Sequence, residues 1–414
     1  MEPWKRNLLG LWVAQFVAVM GVSLVMPFIP FYVRELGVQE LRDVELWSGL
    51  IVSGPFILSS FMTPVWGALG DRHGRKLMVM RATLGVAAAN ALIGLATSPS
   101  QLLVLRLLQG GVSGFVSASL ALMAAWAPRE RMGFALGSLH ASVSAGSVVG
   151  PLIGGVLGDL VGYRYVFFIT ASACLAATGL VSVLVTEKSP HPRQDEQGLR
   201  VADNYRLVLS SPELRAAFAL LLASQAGVSF VQPVFALFVE SLGVSGRYLS
   251  TYTGALFAVT GVAAVMAAPL WGRKGDKLGH GRVFGLAVTG LALSCGLQGL
   301  VTRPYQLFVL RGAQGAFVAG MAPAIFSMVG RSTPEERKGG VMGIMSSATL
   351  IANAVGPATG GVLSALIGLR VVFPAAALVL LATSYRAFRL KLGCQGPSEG
   401  PPGRVAGDIP TIPH

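Results

Sequence analysis

The sequence predicts an all-α polytopic membrane protein, with twelve transmembrane helices in two six-helix bundles that are related by a pseudo-two-fold axis. Three observations predict this fold class. Hydrophobic residues make up 53% of the chain and charged residues only 12%, and the mean hydropathy is +0.64. Apolar stretches of about 20 residues, the length that crosses a hydrocarbon core as a helix, recur along the chain. The second half also repeats the polar loops of the first half.

Each apolar stretch is predicted as a helix, because in lipid only a helix satisfies its backbone hydrogen bonds within one segment. The predicted spans are 8–32, 46–70, 76–97, 101–126, 133–158, 162–186, 214–240, 248–270, 281–301, 304–330, 339–363 and 367–388. The predicted organisation is an N-terminal six-helix bundle (1–186), a cytoplasmic linker (187–213), a C-terminal six-helix bundle (214–390) and a disordered cytoplasmic tail (391–414), which is rich in Pro and Gly.

The repeat is carried by loops and motifs at an offset of about 205 residues. PVWGALGDRHGR (64–75) returns as PLWGRKGDKLGHGR (269–282), and VVGPLIGG (148–155) returns as NAVGPATGG (353–361). Two six-span halves with matching loops indicate two bundles with a site between them. This is the architecture of a secondary transporter.

The net charge of +13 is distributed like that of a membrane protein and not like that of a nucleic-acid-binding protein. With both termini placed in the cytoplasm, most of the 32 Lys and Arg fall on the inner side, as the positive-inside rule requires. We therefore expect both termini to be cytoplasmic. The expected partner of the basic surface is anionic membrane lipid, and no nucleic acid is expected.

Neither a catalytic nor a cofactor-binding pattern is present in the sequence. The three cysteines have no zinc-ligand spacing, and there is no phosphate-binding GxxxxGK[ST] loop. We therefore expect no enzymatic activity, no metal and no cofactor.

The loop GALGDRHGRK (67–76), between the second and third spans, predicts a conformational latch. Asp71 lies at the membrane edge, where it could accept hydrogen bonds from a helix N-terminus or from an arginine of the other half, near Gly339–Gly340. The alternative is a charged turn that only sets topology, but the recurrence of the loop in the second half favours the latch. The latch candidates are Gly67, Gly70, Asp71, Arg72, Gly74, Arg75 and Asp276.

Five segments together resemble the major facilitator superfamily. They are WKRNLLGLW (4–12), SLVMPFIPFYVRELGV (23–38), GALGDRHGRK (67–76), RLLQGGVSG (106–114) and GSVVGPLIGG (146–155). The chain is most similar to the twelve-span drug:proton antiporter branch, and within it to MdtG-type multidrug exporters of bacterial inner membranes. The resemblance implies the major facilitator fold, with export of small lipophilic substrates in exchange for protons by a monomer in the bacterial inner membrane.

Arg106 and Arg311 lie about five residues inside spans, where a charge is costly unless it is paired or faces water. The alternative is that each side chain reaches the outer interface, which this shallow depth permits. The resemblance implies a role for Arg106 in proton transfer. It also assigns the helix-5 antiporter motif to Gly146, Gly150, Pro151 and Gly154.

The acidic residues depart from the pattern of drug:proton antiporters, which often carry a carboxylate deep in the cavity. Here all 19 acidic residues fall at span edges or in loops. His140 is within a span and could carry a proton near neutral pH, or it could be a packing histidine. The proton-coupling candidates are Arg106, His140, Glu35 and Glu240.

Polar and aromatic residues in the central spans predict an adaptable substrate cavity, although each could instead pack against a helix or face lipid. The candidates are Gln15, Phe16, Gln109, Phe115, Gln225, Phe230, Gln232, Phe235, Gln314 and Phe317. The predicted function is multidrug efflux by proton antiport and alternating access. The alternative is a proton-coupled solute uptake symporter of the same fold. A membrane enzyme or sensor is disfavoured, because no nucleophile, metal cluster or appended domain is visible.

Overall fold

The computed structural model describes residues 2–187, 197–244, 246, 248–334 and 337–390, and the predicted tail (391–414) lies outside them. Within these residues the helices are α1 (Pro3–Ser23), α2 (Ile29–Glu35), α3 (Leu41–His73), α4 (Arg75–Gly94), α5 (Pro99–Val112), α6 (Phe115–Trp126), α7 (Met132–Val161), α8 (Tyr163–Leu184), α9 (Gln197–Ser210), α10 (Pro212–Phe230), α11 (Phe235–Ser241), α12 (Leu249–Leu278), α13 (His280–Gln298), α14 (Gln306–Arg331), α15 (Lys338–Ile367) and α16 (Val372–Arg389). Short 3-10 turns precede α7 and α16.

Twelve of these helical units are long and apolar enough to cross a membrane, which confirms the predicted all-helical, twelve-span fold class. The turns between successive spans repeat in the two halves. Gly74 and Gly279 have φ of +99° and +86°, and Gly162 and Gly368 have φ of +88° and +107°. Side chains rarely adopt this backbone region, so glycine is required at each of these four turns.

Two predicted spans, 8–32 and 214–240, are broken and not continuous. The first ends as α1 and resumes as α2 after residues 24–28, and the second ends as α10 and resumes as α11 after residues 231–234. Prolines explain both breaks, since Pro27 and Pro233 fall in them and cannot donate a backbone hydrogen bond. The first span of each half therefore has a break at the equivalent position of the repeat.

A third break occurs only in the first half, where Gly114 separates α5 from α6 with φ of +111°. The Arg81 guanidinium donates from Nη2 to the Ser113 carbonyl at 3.0 Å and lies 3.4 Å from the centre of the Trp66 ring. Trp66 in turn donates to the Gly111 carbonyl at 2.6 Å. In the second half α14 is continuous, although its partner Trp271 makes the corresponding 2.6 Å bond to Ala316.

An even number of spans returns the chain to the face where it began. We call the face where α1 begins and α16 ends the terminal face, and the opposite face, which carries α2 and α11, the distal face. Within the first half α1 packs on α7, α3 on α5 and α4 on α8. Within the second half α10 packs on α15, α12 on α14 and α13 on α16. Two extensive helix pairs join the halves, α3 with α15 and α7 with α12.

Candidate functional site

The α7–α12 pair forms a close seam near the distal face. A Cβ atom on Gly155 would collide with the Ser250 carbonyl oxygen, and one on Gly254 would collide with the Pro151 carbonyl oxygen. The two backbones therefore meet directly, through glycine, as small residues allow in membrane helices.

Asp159 closes the distal end of this seam by capping a helix of the other half. Its carboxylate accepts hydrogen bonds from the backbone N–H groups of Ser250 and Thr251 at 3.2 Å and 2.6 Å, in the first turn of α12. The Tyr163 hydroxyl lies 3.1 Å from the Ser250 hydroxyl. A carboxylate at a helix N-terminus satisfies donors that have no partner within the helix and also interacts favourably with the helix dipole.

The α3–α15 pair forms the matching seam. A Cβ atom on Gly49 would lie 2.7 Å from the Pro357 carbonyl oxygen, and one on Gly361 would lie 2.6 Å from the Glu45 carbonyl oxygen. The Ser53 hydroxyl accepts a 2.9 Å hydrogen bond from the backbone N–H of Ala358. The halves thus meet along two backbone-to-backbone seams, both of them at the distal face.

An ion pair joins the halves beyond the seams. Arg34 of α2 places Nη1 at 2.8 Å and 2.9 Å from the two carboxylate oxygens of Glu240 in α11. Both side chains keep about a third of their surface exposed, so this pair is a partly solvated one. Next to it, burial raises the pKa of the Glu35 carboxyl above its ordinary value, and the nearby Arg164 opposes this shift in part.

At the terminal face the same helices are not in contact through their glycines. A Cβ atom on Gly67, near the end of α3, would have no neighbour within 4 Å, and the same holds for Gly272 near the end of α12 and for Gly339 at the start of α15. Gly340 lies against the Asn204 side chain of α9. Among the described residues, the glycine contacts that join the halves therefore lie at the distal face, and these three glycines at the terminal face have open space beside them.

The loop between α3 and α4 is held by a residue that the sequence analysis missed. The Glu187 carboxylate accepts hydrogen bonds from the backbone N–H groups of Arg75 and Lys76, at 2.6 Å and 3.0 Å, and so caps α4. Arg75 also donates from Nη1 to the Ala121 carbonyl at 2.7 Å. The one available signal was position, because Glu187 is the first acidic residue after the sixth span.

The other predicted latch residues divide between buried and exposed positions. Gly70 is buried and lies against Met78, whereas Arg72 and Asp276 are exposed. Asp71 is near the end of α3 at the terminal face, three residues before the turn at Gly74.

The glycine motif of α7 serves two different contacts. Gly146 lies against the backbone of α1 at Phe16, Gly154 against the backbone of Leu24 just after α1, and Gly150 against Ser23. Pro151 and Gly155 lie on the α12 side of the helix. One face of the motif therefore packs α7 within its own bundle, and the adjacent face packs α7 against the other half.

Arg106 and Arg311 are buried, so neither side chain reaches the outer interface. Arg106 has no exposed surface, and its Nη1 donates to Gln109 Oε1 at 2.6 Å. Its Nε and Nη2 have no hydrogen-bond partner among the described residues. Arg311 donates to Gln314 Oε1 at 3.3 Å and stacks 3.4 Å above the Phe235 ring.

The remaining proton candidate within a span, His140, is exposed on α7. It shares a helix face with Ser144, Val148 and Pro151, at intervals of four, four and three residues. Val148 contacts Gly261 of α12, so His140 lies on the line of the α7–α12 seam, about two turns toward the terminal face.

The ten predicted cavity residues fall into two equal groups. Buried within the helix contacts are Gln15, Gln109, Phe115, Phe235 and Gln314. Half-buried are Phe16, Gln225, Phe230, Gln232 and Phe317. Gln15 donates to the Leu139 carbonyl at 3.0 Å and so ties α1 to α7, and Gln314 accepts from Gln298 at 3.0 Å. These two glutamines hold helices together within a bundle.

Gln225 belongs to a polar network whose central residue was not predicted. Asn353 Oδ1, on α15, accepts hydrogen bonds from the Ser229 hydroxyl at 2.7 Å and from Gln225 Nε2 at 3.2 Å, both on α10. Asn353 opens the repeated NAVGPATGG motif, and the amide in an otherwise small and apolar run was the signal available in the sequence.

Comparisons with known proteins agree with this geometry. Residues 11–259 and 218–405 match the family model of the Major Facilitator Superfamily. The multidrug resistance protein MdtG of Serratia proteamaculans (strain 568) is 37% identical over 380 residues, covering 91% of this chain and 92% of the relative. MdtG of Citrobacter koseri is 36% identical over 387 residues, covering 91% and 93%. The crystal structure of a bacterial homologue of the human lysosomal transporter Spinster, inward-facing and occupied, superposes with a TM-score of 0.77 at 16% identity, over 96% of this chain and 100% of that one, and so shares the fold.

Proposed function

The chain belongs to the Major Facilitator Superfamily and is a multi-pass membrane transporter of small molecules, and on this premise we propose that it exports lipophilic or amphipathic compounds in exchange for protons. Two relatives named as multidrug resistance proteins, each at least 36% identical over nine-tenths of the chain, support the export of chemically varied compounds. The transport cycle is alternating access, in which the halves rock about a central cavity.

The observation that carries the proposal is the arrangement of the two seams. The helix pairs α3–α15 and α7–α12 meet through glycine and backbone atoms at the distal face, while Gly67, Gly272 and Gly339 of the same helices have open space at the terminal face. Rigid bundles that rock about such seams would close one face as they open the other.

The proposal includes an orientation. The terminal face is cytoplasmic, so this conformation takes up its substrate from inside a bacterial cell and the distal face releases it outside the inner membrane. Residues 1–186 and 214–390 are the two moving bundles of one monomer, and 187–213 links them. The concentration of Lys and Arg in the loops of the terminal face supports this orientation.

Proton coupling is assigned to charged groups at the seams and in α5. Glu35 and Glu240 lie beside the distal closure, His140 lies on the line of the α7–α12 seam, and Arg106 is buried without a carboxylate partner among the described residues. A group whose surroundings change between two states binds protons differently in each, which is the requirement for coupling.

The direct test is dye movement in inside-out vesicles. Ethidium or Hoechst dye should accumulate when a pH gradient is imposed, and the accumulation should vanish when a protonophore collapses the gradient. Vesicles without the protein provide the blank. Absence of gradient-dependent movement across several chemically different dyes would count against multidrug export and favour the uptake symporter.

The latch is tested separately with Asp71→Asn. We expect this variant to reach the membrane in normal amounts and to lose dye export, because the neutral amide cannot bind a helix N-terminus or an arginine of the other half as strongly. Asp43→Asn, which neutralises an exposed aspartate at the other end of α3, is the matched control. Full export by Asp71→Asn would exclude the latch.

A further inference from the structure

We propose that the amide pair Asn353 and Gln225 forms a hydrogen-bonding subsite that recognises a neutral amide or hydroxyl group on the transported compound. This inference deepens the proposed function and rests on it, because it takes the recognised compound to be the one that is transported. Its own basis is the geometry of the network between α10 and α15.

The network leaves one donor and one acceptor unused. Asn353 Oδ1 already accepts two hydrogen bonds, from Ser229 and Gln225. The Asn353 NH2 group and the Gln225 carbonyl oxygen have no hydrogen-bond partner among the described residues. If both amides were flipped, the unused pair would be the Asn353 oxygen and the Gln225 NH2 group, so one donor and one acceptor remain either way.

The position of the pair suits a ligand in the space between the halves. Asn353 and Gln225 are both half-buried. Asn353 lies four residues, or about 6 Å along the helix, before Pro357, whose carbonyl oxygen meets Gly49 in the closed α3–α15 seam. The pair therefore lies about one turn on the terminal side of the closure.

Glycines beside the amides pack α10 closely on α15. A Cβ atom on Gly356 would lie 2.7 Å from Ser229 Cβ, and one on Gly360 would collide with the Phe230 carbonyl oxygen. The two helices thus have close backbone contacts in addition to the amide hydrogen bonds, so the unused amide groups can serve another role.

The first half lacks an equivalent subsite. There Ser23 lies against Gly150, as Ser229 lies against Gly356, but the Ser23 hydroxyl donates to the backbone carbonyls of Gly146 and Met20. Ser147 stands where the second half has Asn353, at the 206-residue offset of this motif. The recognising amides therefore come from the second half. Because neither amide carries a charge, the subsite selects neutral polar groups.

The test is equilibrium binding to the purified full chain in detergent, with micelles alone as the blank. The probes are biphenyl-4-carboxamide and its isostere 4-isopropenylbiphenyl, which has the same shape and no hydrogen-bonding group. We expect the wild type to prefer the amide by about tenfold, the scale of one or two neutral hydrogen bonds.

Asn353→Ala and Gln225→Ala should each reduce that preference to about threefold or less while the affinity for the isostere stays the same. Gln306→Ala is the matched control, since Gln306 is another half-buried glutamine, outside the network, whose side chain accepts hydrogen bonds from the turn before α14. No preference in the wild type, or an equal loss for both probes in Asn353→Ala, would overturn the subsite. Binding requires no gradient, so a preference without gradient-driven export would refute the proposed function and leave the subsite standing.

Discussion

At the scale of single residues, the buried Arg106 is the group whose role is easiest to separate from stability. A fully buried guanidinium without a carboxylate partner among the described residues costs folding free energy, so its retention needs a functional reason.

We predict that Arg106→Met lowers gradient-driven export by about 100-fold, the scale of a lost proton-transfer group, without lowering the unfolding temperature in detergent. Arg311→Met is the matched control, because Arg311 is equally buried but stacked on Phe235. A fall in unfolding temperature with intact export would show that Arg106 is structural.

Glu35 gives a prediction about pH. Burial in the distal-closed state raises the pKa of its carboxyl, so the charged form is disfavoured there. Above the raised pKa the carboxylate is charged and the closed state carries a penalty. As the pH falls through that pKa and then through the ordinary value, the penalty disappears. Acid should therefore favour closure of the distal face.

Glu35→Gln should hold the distal face closed at neutral pH and flatten this pH dependence. The measurement is the distance between spin labels on Leu160→Cys and Tyr248→Cys, two exposed positions that flank the α7–α12 seam. Arg42→Gln, which removes an exposed charge in the first turn of α3 at the distal face, is the control. An unchanged pH profile in Glu35→Gln would assign the dependence to another group.

At the scale of the helices, the glycine seams make a prediction about closure. Gly155→Val should wedge α7 away from α12, because even the first carbon of the new side chain would collide with the Ser250 carbonyl oxygen. We expect the Leu160–Tyr248 label distance to lengthen by several ångströms and export to fall by about tenfold or more, since packed backbones tolerate no added volume.

Gly137→Val is the matched control, because Gly137 is on the same helix and has no neighbour within 4 Å of a Cβ position. It should leave both the label distance and export unchanged. If the two variants behaved alike, the seam would not be the contact that closes the distal face.

Much of the helix pattern was predictable, and the exceptions have physical reasons. Hydropathy located twelve spans because crossing lipid imposes one length and one composition. It could not locate the breaks at residues 24–28 and 231–234, since apolar residues continue through them. The break at Gly114 was equally hidden, because it depends on Arg81 and Trp66 from other helices.

The candidate site was less predictable, because it depends on which face of a helix meets which partner. The repeat identified Gly150 and Pro151, but not that Gly150 faces α1 while Pro151 faces α12. Asn353 and Glu187 were missed for the same reason, since their roles come from partners that lie more than 100 positions away in the chain.

At the scale of the whole molecule, the Arg34–Glu240 pair tests whether the two halves are electrostatically coupled. Arg34→Glu should open the distal face by placing like charges together, and Arg34→Glu with Glu240→Arg should restore closure. The pair is partly solvated, so we expect a coupling of about 0.5 kcal/mol, or roughly twofold in the closed population.

The spin-label distance distribution measures that population at low and high salt. Because a partly exposed pair is screened, the effect of Arg34→Glu should shrink at high salt. An effect that persists at high salt, or a double variant no better than the single one, would argue that the charges do not couple the halves.

The Asp159 cap gives the opening at the distal face a charge distribution that depends on the state of the protein. While the seam is shut, the negative carboxylate and the positive end of the α12 dipole neutralise each other across the boundary between the halves. When the halves separate, the carboxylate on α7 and the N-terminus of α12 are both exposed, on opposite sides of the opening. A molecule that passes then meets a hydrated, polarised opening where the carboxylate and the backbone N–H groups had satisfied each other, and water drawn to these groups competes for its place. The same contact that shuts the distal face thus makes it unfavourable for an apolar solute once it is open.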